Sequence, residues 1–148
     1  MKSEADVYSI DDLERDGHTM WDGVRNYQAR NNMKEMREGD LVLYYHSRQS
    51  PSAVTGVAKV VRVAYPDPTQ FDPRNKYFDA KSDPDDPRWW LVDIEFVRKL
   101  DRQVGLPEIK ASADLSDIVL VRNSRLSVQP VLEKEFAKVL AMAGEAAG

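Results

Sequence analysis

The sequence predicts an α+β fold: a small, open, mixed β-barrel of about five to six strands flanked by helices. Strand-like segments recur along the chain without the regular strand–helix alternation of a doubly wound sheet. One of them, residues 53–65, is apolar on both alternating faces, as a strand covered on two sides must be. Helical patterns stand near both ends of the set, where they can pack against the barrel ends. The 148 residues are enough for one domain with a real core, so residues 1–148 read as a single unit.

Each element has a local cause. Residues 9–16 form a helix because Ser9 and Asp12 have capping-box spacing and Gly17 supplies a stop. Residues 26–37 form a second helix, with Ala29, Met33 and Met36 at i, i+4, i+7 as its buried face and Gly39 as its end. DLVLYYHS (40–47) and AVTGVAKVVRVAY (53–65) have strand composition, and Gly56 marks a bulge or the close approach of another backbone. Residues 66–88 are rich in proline and aspartate, too polar for core, and read as an ordered lid or edge loop. Strand signals then resume in WWLVDIEFV, where Trp90, Val92, Ile94 and Phe96 make a core face and Trp89, Asp93 and Glu95 a wetter one. A short helix opened by Pro107 follows, then a strand at 117–121 and a strand-like run at 126–131. An amphipathic helix at about 132–143 closes the chain, with Leu132, Phe136, Val139 and Leu140 on one side.

Composition narrows the function. The chain has no cysteine, which excludes disulfide scaffolds, thiolate metal sites and cysteine nucleophiles and suits a cytoplasmic protein. No apolar run approaches a membrane span and the first residues lack a signal-peptide core, so no membrane partner is expected. A net charge of −4 argues against coating nucleic acid non-specifically; any such contact must be a local positive patch. Phosphate-loop, nucleophile-elbow, zinc and EF-hand patterns are absent, so the chain reads as a binding module without catalytic residues, metal or cofactor. His18 and His46 could contribute to a metal site only with loop carboxylates of irregular spacing.

Binding chemistry gathers in WDGVRNYQARNNM (21–33). An indole such as Trp21 stacks on a nucleobase, amides such as Asn26 read base edges, and guanidinium groups stack or hold phosphate. On the following helix Arg30, Lys34 and Arg37 repeat at i, i+4, i+7 as a basic ridge beside the methionine stripe, with Trp21 and Arg25 at its end. The plain alternatives are a solvated helix face for the ridge and a core position for Trp21.

Taken in order, KSE, DVYSIDDL, WDGVRNYQARNNM, GDLVLYYHS, AYPDPTQFDP, PRWWLVDIEFV and SRLSVQPV resemble the EVE domain, over residues 2 to about 140. WDGVRNYQARN and RLSVQPV are the most specific pieces. The resemblance implies the PUA-like barrel and kinship with YTH domains, which hold a modified base in an aromatic pocket. It also implies a nucleic-acid partner, DNA or RNA, that carries a modified base. Carried over by position, it implies that Trp21 stacks on that base. Around it would lie Ser3, Glu4, Asn26, Tyr27, Tyr45, His46, Ser47, Ser127 and Gln129, with Arg25, Arg30, Lys34 and Arg125 on phosphates.

Three departures from the family pattern stand out. The strand usual before KSE is shortened, Ala5 replaces a proline beside the cleft, and Leu132 replaces a capping threonine. Two other readings are an enzyme acting on a nucleotide or small metabolite, and a protein-interaction module built on Trp89, Trp90 and the proline-rich loop.

Overall fold

The computed structural model describes residues 1–4, 7–47 and 49–144, with Glu4 described for its backbone only, so the departure at Ala5 lies outside the described residues. Five strands, β1 (Lys2–Glu4), β2 (His18–Met20), β3 (Leu41–Ser47), β4 (Ala53–Pro66) and β5 (Trp90–Gly105), form one mixed sheet in the order β1-β3-β4-β5-β2. β1 runs parallel to β3, and the other pairs are antiparallel. β1 and β2 are the edge strands, so the expected open, mixed α+β architecture holds, with five strands.

Helices cover both faces. Ile10 and Leu13 of α1 (Ile10–Asp16) and Ala29 and Met33 of α2 (Tyr27–Lys34) pack with Val42 and Tyr44 of β3. On the other face Leu43 and Tyr45 of the same strand pack with residues from α3 (Leu106–Ala111), α4 (Val119–Arg122) and α5 (Glu133–Met142). Strand alternation therefore divides β3 between two cores. The first half of β4 is likewise buried on both faces, as its composition predicts. At Gly56 both expectations are met. The ladder shifts register there, and a Cβ would lie 2.5 Å from Ile10 Cδ1 and 2.9 Å from the Arg98 carbonyl.

Ser9 and Asp12 form the predicted capping box of α1. α2 is shorter than 26–37: Asn26 is its N-cap, with Oδ1 accepting from the Ala29 N–H, and helix ends at Lys34. The expected strand at 117–121 is instead helical at α4, because Ile118 and Leu120 fill the second core from a turn. Residues 126–131 form no strand, although Leu126 and Val128 reach the first core. The tryptophan pair is reversed. Trp89 is 6% exposed and donates from Nε1 to Asp79, whereas Trp90 is half-buried at the start of β5. Leu132 does not join the buried face of α5: it is 57% exposed and offers no capping oxygen. Glu135 accepts from the Leu132 N–H and satisfies that end in part.

His46 ties α1 to the sheet. It is 5% exposed, and its Nε2 accepts from the Ile10 N–H at 3.0 Å. Burial holds its pKa below the ordinary histidine value of 6.5. Protonation would remove the acceptor, and the unfolded chain takes up the proton first as pH falls. The stability His46 confers is thus complete above the ordinary value and lost as pH falls through its depressed folded-state pKa. Between roughly pH 7.5 and 5.5 the wild-type melting temperature should fall more steeply than that of His46→Gln. Parallel curves would show that His46 is not responsible.

Candidate nucleic-acid interface

Two clefts of similar size open on the surface. One, of about 570 Å³, is lined by Met36, Leu41, Val131 and Phe136 with the acids Glu35, Asp40 and Glu133. Its negative charge repels phosphate. The other, of about 590 Å³, is lined by Trp21 together with the cations Lys2, Arg25 and Lys76 and, among the described residues, one acid, Asp22. Charge selects the second.

The backbone sets this cleft from the edge of the sheet. The Trp21 N–H donates to the Val92 carbonyl at 2.9 Å, extending the β2–β5 pairing by one residue. The half-buried indole stands edge-on to Tyr44, with centroids 5.5 Å apart, while still lining the open cleft. Beneath it the Ser3 and Tyr44 hydroxyls both donate to the Tyr8 carbonyl. The Lys2 ammonium donates to the Ser124 carbonyl, and burial lowers its pKa. Asp22 reaches solvent, yet desolvation within the cleft and repulsion by Asp67 hold its carboxyl above the usual carboxylate range.

The opposite wall comes from residues 66–88, and one buried carboxylate moors it. Asp67, 0% exposed, accepts from the Gly23 N–H at 2.8 Å, from Arg25 Nη1 at 3.2 Å and from the Thr69 N–H. Arg25, expected on phosphate, is engaged here instead, donating to the Tyr77 carbonyl and the Thr69 hydroxyl as well. The loop's aspartates have local work too. Asp67, Asp72, Asp79 and Asp83 each accept from the N–H two residues on, as does Asn75. Turns of this kind account for four of the six aspartates in the loop. Among the described residues no group of three or more histidines and acids could hold a metal ion.

Of the expected base-contacting residues, Trp21, Ser3 and Ser127 line this cleft. The others do not. Asn26 caps α2, Tyr45 and His46 are buried, Ser47 donates to the Ser3 carbonyl, and Gln129 donates to the Asn123 and Leu126 carbonyls. The side chain of Glu4 lies outside the described residues. Tyr27 stacks on Trp89 with centroids 4.9 Å apart, Arg30 lies over Tyr27, and Lys34 lies over Trp90. Arg30 and Lys34 therefore form a cation–aromatic surface on α2 that does not line the cleft, and Arg37, the third residue of the expected ridge, lies beyond the helix end. Arg125 is exposed, two residues from Ser127. With Trp89 buried, only Trp90 of the pair is left to contribute to the expected docking surface.

Sequence reasoning missed Lys76, Tyr77 and Gly23. The available signal was RNKYF (74–78), a basic–aromatic run inside an otherwise acidic loop.

Comparison with known proteins accords with this architecture. Residues 1–142 match the family model described as EVE domain. The chain is 40% identical over 145 residues to human thymocyte nuclear protein 1, an alignment covering 91% of this chain and 64% of that relative's length. A Pseudomonas syringae protein of solved structure superposes with a TM-score of 0.92 at 45% identity, covering 97% of each chain. Human THYN1 protein, solved in complex with DNA containing 5-methylcytosine, superposes with a TM-score of 0.93 at 38% identity, covering 99% of this chain and 96% of that one. The chain belongs to the EVE domain family.

Proposed function

We propose that the Trp21 cleft binds one modified nucleobase of DNA or RNA, held by stacking and polar contact without chemical conversion. The observation that carries this reading is an indole facing an open cleft whose lining is cationic in a chain of net charge −4. The DNA complex of the human relative, superposable over nearly the whole chain, supports it. The base enters single-stranded or flipped from a duplex, at a cost of a few kcal/mol for flipping. Stacking on Trp21 returns about 1–3 kcal/mol of that. A methyl group on the base adds about 0.8 kcal/mol of apolar burial, so polar pairing within the cleft must supply the remaining discrimination. Asp22, Ser3 and Ser127 are the groups placed to do so.

The test is a titration with oligonucleotides that differ in one modified base, at two salt concentrations. Selective binding that weakens as salt rises supports the reading, and equal affinity for modified and unmodified strands refutes it. The α2 surface then holds flanking phosphates. If it does, Lys34→Met should reduce the slope of log affinity against log salt by about 0.7–0.9, the contribution of one phosphate contact. An unchanged slope would take Lys34 off the path of the strand.

A further inference from the structure

We infer that Tyr77 and Lys76 are nucleotide-contacting residues, the ring forming a second flat wall of the cleft and the ammonium meeting the adjoining phosphate. The inference rests on the base-binding reading and deepens it, because neither residue belongs to the segment around Trp21.

The position of Tyr77 is set at both ends of the side chain. At the backbone, its carbonyl accepts from Arg25 Nε at 3.1 Å and Nη2 at 2.7 Å, and its N–H donates to Asn75 Oδ1 at 2.9 Å. At the phenol end, Cε2 and Cζ lie 2.5 Å from where a Cβ on Gly23 would stand. Only the bare backbone of glycine leaves room for that ring, and Gly23 also has φ +79°, which favours glycine. The ring is thus seated on the segment two residues after Trp21 and lines the same cleft. The Arg25 guanidinium lies 5.5 Å from its centre and the Lys76 ammonium 4.9 Å. A wall held this way keeps its shape before any ligand arrives, which is what a preorganised site needs.

Charge places the phosphate. The 66–88 loop carries six aspartates, and phosphate is repelled along most of its length. Of its basic residues, Lys76 lines the cleft and is exposed. A strand whose base enters beside Trp21 therefore meets the loop at Lys76. Arg25 is a positioning residue in this arrangement, since its donors hold the loop in place.

The experiment pairs photo-crosslinking with titration. A single-stranded oligonucleotide carrying 5-iodouracil at or next to the modified base is irradiated with the full chain, and the attached residues are located by mass spectrometry. Attachment at Tyr77 as well as Trp21 is expected. In titration, Tyr77→Ala should weaken binding roughly 5- to 150-fold, the range for one lost stacking contact. Lys76→Ala, at an exposed site that leaves folding intact, should reduce the salt slope by about 0.7–0.9. Wild-type protein that fails to distinguish modified from unmodified strands refutes the base-binding reading itself. Selective wild-type binding with no crosslink at Tyr77 and an unchanged slope for Lys76→Ala overturns this inference alone.

Discussion

Trp21→Ala will weaken binding of a modified-base oligonucleotide by about 1–3 kcal/mol, roughly 5- to 150-fold, when titrated at fixed salt. The indole is the large flat surface at the sheet edge of the cleft, and alanine removes that stacking face. Some stability goes with it, because the ring stands edge-on to Tyr44 and packs against the first core. That ring pair accounts for about 0.5–1.5 kcal/mol beyond buried area. Trp21→Phe separates the two roles, keeping an aromatic edge against Tyr44 while shrinking the stacking surface. Its melting temperature should stay nearer wild type than its affinity does. Wild-type affinity in folded Trp21→Ala protein would remove the indole from the binding site.

Asp67→Ala will destabilise the fold by about 3–5 kcal/mol, the usual cost of stripping one partner from a buried ion pair. For a domain of this size that is a fall in melting temperature of roughly 6–20 °C. The carboxylate is fully buried, and its loss leaves Arg25, the Gly23 N–H and the Thr69 N–H without their shared acceptor. Asp67→Asn, which keeps the shape and one acceptor oxygen, should lose less. The Arg25→Ala, Asp67→Ala double variant should lose less than the sum of the single changes, because both act through one network. Additive losses in thermal or urea unfolding would show the two residues to be independent.

What the sequence disclosed follows the range over which each signal acts. The α1 cap, β3 and the two-sided half of β4 were legible because spacing and alternation over a few residues decide them. β2 was not, since three residues carry no usable period. At 117–121 β-branched composition pointed to a strand, but packing of Ile118 and Leu120 into the second core favoured a turn of helix. The site divides the same way. Trp21 could be read from its motif, whereas Arg25 was placed on phosphate because its partner, Asp67, lies 42 residues away. Tyr77 went unseen for the same reason, its contact with Gly23 arising only once the long loop is folded back.

Because β3 gives Val42 and Tyr44 to one core and Leu43 and Tyr45 to the other, it is a party wall between two otherwise separate interiors. Sliding that wall by a single residue would turn each tenant into the wrong room, emptying both at once. A one-residue insertion or deletion inside β3 is thus far graver than one in the exposed stretch 83–86, where the chain turns in solvent. The Trp21 cleft borders mainly the first room and meets the second through Lys2, which lies over Tyr45, so α3 and α5 on the far face are where this molecule can be remodelled with least effect on that cleft.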